Sequence, residues 1–280
     1  MEVVHVGDVL RNAQILAGES DTPGLDLQVL LAAVTGRERA WVLAHPEAEL
    51  NMRQVQQLEA ALPRLQAGEP LAYLTGQREF FGLVFEISPA VLVPRPETEL
   101  LVEQALAWLR QHSRPLRCAD AGTGSGCIGV TLVFHAPNVI LTATDISRDA
   151  LQIARRNARR HQVESRVSFV QGSLLQAFGD GFDLVCANLP YIPHADLAEL
   201  KVSCWEPQQA LDGGADGLAW LRKLIEDAPR LLAPQGMMLL EIEARQAAAV
   251  SCLAQEQFPS ATVRVFQDLA GHDRLIQIQR

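Results

Sequence analysis

The sequence predicts an α/β protein in which a doubly wound parallel sheet follows a small helical domain. Three observations predict it. Apolar positions recur at three- and four-residue intervals over residues 1–70, aromatic and β-branched residues take over between Tyr73 and Pro94, and from Glu97 onward short apolar runs alternate with amphipathic stretches. A chain of 280 residues, 48% hydrophobic and 20% charged, is long enough to bury one medium core and a smaller one.

Taken in order, helical spacing is carried by Val9–Leu16, by LDLQVLLAAV and by VQQLEAALPRL. Asp8 is expected as the N-cap of the first helix, because a short carboxylate accepts hydrogen bonds from the orphan amides of a first turn. YLTGQREFFGLVFEISPAVLVP, with period-two stretches and a glycine at Gly82, reads as a hairpin or extended connector. The predicted organisation is a helical domain over 1–75, a connector over 76–93 and a sheet domain over 94–280. In the sheet domain the apolar runs LRCADAG, VILTATD, RVSFVQG, FDLVCANLP and GMMLLEIEA are the expected strands. Helices are expected from about Gly126, near 148–161 and near 216–232. Such alternation builds βαβ units.

Composition excludes several classes. The N-terminus has no basic segment leading into an apolar run, and no stretch approaches the roughly 20 apolar residues of a membrane span. Five cysteines without a C-x-x-C pair fit free thiols in a reducing cytoplasm. Seven histidines without H-x-x-x-H spacing give no metal site. The balance is acidic, 24 Lys+Arg against 33 Asp+Glu, and residues 1–93 hold six arginines against twelve carboxylates. That argues against direct binding along a nucleic-acid backbone and favours a protein partner.

Asp120-Ala121-Gly122-Thr123-Gly124-Ser125-Gly126 ends an apolar strand and opens a helix, where glycines let a ligand approach the backbone at a helix N-terminus. Its spacing is G-x-G-x-G, yet Gly124 through Gly129 also satisfies G-x-G-x-x-G. Asp145 ends the next strand, where a carboxylate can accept from ribose hydroxyls or cap the helix that follows. Loop and carboxylate together favour a ligand bearing a nucleoside. Their spacing does not separate NAD from S-adenosylmethionine.

Asn188-Leu189-Pro190-Tyr191 follows a buried strand at the carboxyl edge of the expected sheet. An amide nitrogen is a poor nucleophile, because its lone pair is delocalised, so methylating it depends on alignment and polarising hydrogen bonds. The Asn188 side-chain oxygen and the Leu189 carbonyl are two acceptors that can orient one NH2 group. Pro190 biases Leu189 toward extended backbone, and Tyr191 can pack its ring on a planar group. An isolated N-x-P-Y is as often a strand-ending turn; the preceding glycine loop and Asp145 favour the functional reading.

These residues resemble the release-factor glutamine N5-methyltransferases, the HemK/PrmC family. The likeness runs through Gly68–Gly76, Pro94-Arg95-Pro96-Glu97-Thr98-Glu99, the Gly122–Gly126 loop, the tetrad, Glu206-Pro207, Ala210–Gly214 and Gly271–Arg274. It implies a class I S-adenosylmethionine methyltransferase fold, Rossmann-like with a seven-stranded, mostly parallel sheet, behind an N-terminal helical domain that recognises the substrate. The implied activity is methylation of the glutamine in the Gly-Gly-Gln loop of peptide chain release factors, in the cytoplasm. Gly122, Thr123, Gly124, Ser125 and Gly126 would cradle the methionine end of S-adenosylmethionine and Asp145 its ribose, with Ser173 and Leu174 near the adenine. Asn188, Leu189, Pro190 and Tyr191 would hold the glutamine, with Asn188 also beside the cofactor.

Two departures from the family pattern stand out. Leu189 stands where the family usually has a proline, and Ser173-Leu174 where it commonly has an acidic residue followed by an aromatic. N-L-P-Y also resembles the tetrad of rRNA adenine dimethylases. The alternatives are therefore a glutamine methyltransferase of a ribosomal protein and an adenine-N6 methyltransferase of nucleic acid, with a non-catalytic binding module as a third. Pro94–Glu99 reads equally as a cover over the cofactor and as a rigid connector, Glu206–Gly214 more as a structural loop, and His272-Asp273 as part of a late hairpin turn.

Overall fold

The computed structural model describes residues 3–12, 22–179 and 181–280. It divides into two compact units, one ending at Gln77 and one running from Arg78 to Arg280. Among the described residues no helix is long and apolar enough to cross a membrane.

The first unit holds α1 (Val6–Arg11), α2 (Pro23–Thr35), α3 (Arg39–Ala44), α4 (Met52–Gln66) and α5 (Leu71–Thr75). Leu27, Leu30 and Leu31 lie at the i, i+3, i+4 spacing of one face of α2 and share a core with Leu58 and Leu65 of α4. The ends of α4 and α1 are set by local hydrogen bonds. Asn51 accepts from the Gln54 amide at 3.0 Å and Gln54 returns the bond at 2.9 Å, a capping box that starts α4. Asp8 is not the N-cap of the first helix. That helix starts at Val6 with His5 as N-cap, so Asp8 stands at its third position and reaches back to accept from the His5 amide at 2.9 Å. Of the helical spacing expected over Val9–Leu16, α1 carries the part up to Arg11, and residues 13–16 lie outside the described residues.

A hairpin follows, β1 (Gln77–Phe80) and β2 (Leu83–Glu86), turned by Phe81 and Gly82 with φ of 52° and 73°. Two consecutive left-handed residues are what a two-residue hairpin turn of the primed type requires. Asn157 anchors this hairpin. Its Oδ1 accepts from the Glu86 amide at 2.7 Å, and its Nδ2 donates to the carbonyls of Glu86 at 3.0 Å and Ser125 at 2.9 Å. One buried amide thus ties the hairpin to the glycine loop.

The remaining elements are α6 (Glu99–Leu109), β3 (Leu116–Ala121), α7 (Cys127–His135), β4 (Val139–Asp145), α8 (Arg148–Arg160), β5 (Val167–Gln171), β6 (Phe182–Ala187), α9 (Ala219–Leu231), β7 (Leu232–Glu241), α10 (Ala247–Gln257), β8 (Thr262–Gln267) and β9 (Asp273–Gln279). The seven strands β3 to β9 form one sheet in the order β5-β4-β3-β6-β7-β9-β8. Only β9 runs antiparallel, to both β7 and β8. This is the α/β fold expected, and each of the five expected strands is present. Residues of β6 are buried along its whole length, as befits a central strand covered on both faces; its one charge, Asp183, accepts from the Arg117 amide at 2.8 Å and from Arg114 at 2.6 Å. The chain steps outward from β3 to β5, then returns to β6 beside β3. A crevice therefore opens where the winding reverses, at the carboxyl ends of β3 and β6. His272 and Asp273 close the β8–β9 hairpin, where Asp268 accepts from the Ala270 and His272 amides at 2.9 and 3.0 Å.

Candidate active site

A cavity of about 600 Å³ occupies that crevice, within the range of small-molecule sites. Gly122, Thr123, Gly124 and Ser125 line it from the end of β3, Asp145 from β4, Ser173 and Leu174 from just beyond β5, and Asn188, Leu189 and Pro190 from just beyond β6. Strands far apart in sequence bring these four groups to one place. Gly126 and Tyr191, also expected in the site, are not among the lining residues. Gly126 is instead the N-cap of α7.

The glycine loop is shaped from beneath by Asp120. Its Oδ2 accepts from the Thr123 hydroxyl at 2.6 Å and the Gly129 amide at 3.0 Å, and its Oδ1 has no partner. Burial pushes this carboxyl up to about 6, against the pull of those two donors. At Gly122 φ is 73°, and a side chain there would meet Leu189 Cδ2 at 3.0 Å, so loop and tetrad fit closely only with glycine at this position.

Asp145 is held by two backbone amides, Gly124 at 2.9 Å on Oδ2 and Ser147 at 2.8 Å on Oδ1. Burial raises its pKa while these bonds lower it. Capping of α8 falls to Ser147, which accepts from the Ala150 amide at 3.2 Å, so Asp145 is free of that role and faces the cavity. Each carboxylate oxygen has a second lone pair to offer a ligand. Ile146, 56% exposed, and the buried Leu174 add apolar surface beside it. Leu174 sits at φ 51°, a left-handed conformation that costs a leucine on the order of 1 kcal/mol and is often kept where a site demands it.

The tetrad is fastened from behind. Asn188 Nδ2 donates to Thr98 Oγ1 at 3.1 Å, and Gln246 Nε2 donates to the Tyr191 carbonyl at 3.0 Å and the Gly217 carbonyl at 3.1 Å. The Tyr191 hydroxyl is driven up to about 12 by burial and by Glu241, with Arg274 and Arg95 opposing.

Residues outside the expected set complete the site. Pro94, Arg95 and Thr98 line one wall and Pro207, Gln208, Gln209 and Ala210 another, so the Pro94–Glu99 and Glu206–Gly214 segments both contribute cavity surface, the second more than a purely structural loop would. An ion pair joins them, Arg95 to the fully buried side chain of Glu206 at 2.7 Å. Glu241, the last residue of β7, is buried, and its Oε2 has no hydrogen-bond partner among the described residues. Among the described residues, no three His, Cys, Asp or Glu side chains gather as a metal site.

Burial lifts Glu241 up to about 7; Thr98, Arg274 and Asn188 lower it and Glu97 raises it. The folded protein therefore keeps a proton that the unfolded chain releases near pH 4.5. The associated stability is present below that pH and lost as pH rises through about 7, a change of at most about 3 kcal/mol. Glu241→Gln has no such proton to lose. Its melting temperature is expected to rise relative to the parent between pH 5 and pH 8 in paired thermal scans, with Asp120 cancelling from the difference; a constant offset would contradict this.

Residues 8–76 match the model of the PrmC N-terminal domain, and residues 97–203 that of the methyltransferase small domain. The release factor glutamine methyltransferase of Coxiella burnetii is 39% identical over 272 residues, covering 96% of each chain. That of Moorella thermoacetica is 40% identical, covering 96% of this chain and 95% of its own. In fold, the chain is similar to a methyltransferase from Pyrococcus furiosus at a TM-score of 0.52 and 21% identity, over 71% of this chain and 89% of that one. Likeness at this level over nearly the whole length, on a sheet that brings Gly122–Ser125, Asp145 and Asn188–Pro190 around one cavity, means that the chain belongs to the family of release factor glutamine methyltransferases.

Proposed function

We propose that this protein methylates the side-chain amide nitrogen, N5, of the glutamine in the Gly-Gly-Gln loop of peptide chain release factors, using S-adenosylmethionine, in the cytoplasm. The observation that carries the reading is that Asn188 and Leu189 line the same cavity as the glycine loop and Asp145. The cavity's size and donor set fit the cofactor: backbone at Gly122–Ser125 that a ligand can approach closely for its methionine end, the spare lone pairs of Asp145 for ribose hydroxyls, and Ile146, Ser173 and Leu174 for a flat base. When bound, S-adenosylmethionine supplies an electrophilic methyl group on sulfur.

The rest falls to the chain's own residues. Oδ1 of Asn188 and the Leu189 carbonyl accept the two hydrogens of the substrate amide and so aim its nitrogen; the restraint replaces the lost nucleophilicity with alignment. Partial charge developing on that NH2 group strengthens both bonds, which stabilises the transition state more than the ground state, and one of the two hydrogens then leaves as a proton to solvent. The acidic N-terminal helical domain is assigned to recognising the release factor as a protein, without direct nucleic-acid contact.

The decisive experiment supplies labelled S-adenosylmethionine and a release factor carrying the Gly-Gly-Gln loop, alongside its Gln→Ala version. Label is expected on the first and not on the second. Equal labelling of both, or transfer to rRNA or a ribosomal protein instead, would overturn the reading.

A further inference from the structure

Beyond the tetrad the chain is bound rung by rung to the segment that follows the second cavity wall. Ile192 donates to the Leu211 carbonyl at 3.1 Å, Gly213 to the Ile192 carbonyl at 2.8 Å and His194 to the Gly214 carbonyl at 2.8 Å. Trp220, which also lines the cavity, donates from Nε1 to the Asp212 carbonyl at 3.0 Å. The tetrad, the wall Pro207–Ala210 and the Trp220 indole therefore hang on one strip of backbone. Two glycines let it pack closely: a Cβ on Gly213 would lie 2.8 Å from the Tyr191 carbonyl carbon, and one on Gly217 2.4 Å from its oxygen.

Gln246, buried and absent from the cavity lining, closes this strip. Its Nε2 donates to the Tyr191 carbonyl at 3.0 Å and to the Gly217 carbonyl at 3.1 Å, while its Oε1 accepts from the Glu243 amide at 3.1 Å. All three partners are backbone groups of fixed polarity, so this side-chain amide has a single orientation; turned end for end it would set an oxygen against two carbonyls. Those carbonyls converge on one buried place, and a group carrying two hydrogens satisfies both there.

We propose that Gln246 is a positioning residue for methyl transfer: by holding the Tyr191 and Gly217 carbonyls together it fixes the tetrad and the Pro207–Ala210 wall as one unit, so that Asn188 and Leu189 present the substrate amide in line with the methyl group. The inference rests on the glutamine-methyltransferase reading above. The groups assigned to the cofactor have separate supports: Asp120 holds Thr123 and Gly129, and the Gly124 and Ser147 amides hold Asp145. Loss of Gln246 therefore disturbs alignment and leaves cofactor binding in place.

The test uses the full-length protein with Gln246→Met, which keeps the length of the side chain without its hydrogens, and Gln246→Glu, which has a hydrogen to donate only when protonated. Calorimetry reads the Kd of S-adenosylhomocysteine, and turnover of the release factor at saturating substrates reads kcat, at a temperature where thermal scans show each variant folded. In Gln246→Met, kcat is expected to fall roughly 10- to 100-fold with an unchanged Kd. In Gln246→Glu, kcat relative to the parent is expected to rise as pH is lowered from about 8 to about 6, because burial raises a carboxyl and favours its protonated, donating form. This second variant carries the test if the first does not fold. A fall in kcat matched by an equal fall in cofactor affinity marks a merely structural Gln246 and overturns the proposal. So does an unchanged kcat in Gln246→Met, or a Gln246→Glu whose kcat relative to the parent is independent of pH. A parent protein that binds S-adenosylhomocysteine yet leaves the release factor unmethylated overturns the functional reading, and this inference with it, before any variant is made.

Discussion

Asn188→Ala is expected to lower kcat for methyl transfer by about 10²- to 10³-fold, the loss typical of removing one preorganised polar group from a water-excluded site. The change deletes the acceptor proposed to align the substrate amide and leaves the Thr98 hydroxyl without its donor. The glycine loop keeps its own supports, Asp120 beneath Thr123 and Gly129 and Asp145 beneath Gly124, so its structure is expected to survive. Single-turnover rates at saturating cofactor check this; a loss of less than tenfold would place the alignment elsewhere. A protein that only bound its ligands would have no transfer to lose.

Gly217→Ala is expected to be severe without touching the cavity. A Cβ at this position would lie 2.4 Å from the Tyr191 carbonyl oxygen and 2.8 Å from Gln246 Nε2, between the two partners of the bond that pins the end of the tetrad. The residue also sits at φ 74°, where alanine is strained. Together these are expected to cost on the order of 3 kcal/mol, a melting temperature lower by roughly 6–12 °C for a unit of this size, with kcat reduced as Tyr191 shifts. Thermal unfolding and turnover measured on the same preparation check it; an unaltered melting temperature would mean that the Gly217 loop yields freely.

What could be read in advance was what local sequence encodes. VILTATD coincides with β4 because β-branched and apolar residues run unbroken to a strand-ending aspartate, and the glycine loop is legible because its spacing serves a single backbone purpose. The short helices α3 and α5, of six and five residues, are too brief to establish a period. Asp8 was misplaced because a carboxylate at the N-cap and one at the third position both precede apolar residues; only the backbone of His5 tells them apart. Thr98 and Glu241 were illegible for a different reason. Their meaning lies in which segments meet, the turn leading into α6, the residue just beyond β6 and the end of β7, and a glutamate closing an apolar strand has no local signature.

Leu189 stands where the family usually has proline, and it is itself a core residue, 3% exposed and packed in the cluster that includes Val185, Leu221 and Leu240. A pyrrolidine ring stiffens the backbone covalently and at any temperature. Leucine stiffens it only through its neighbours. In this chain part of the rigidity of the carbonyl proposed to hold the substrate amide is therefore borrowed from the interior, so a core substitution remote from the cavity that loosens this packing should blunt turnover before it unfolds the protein.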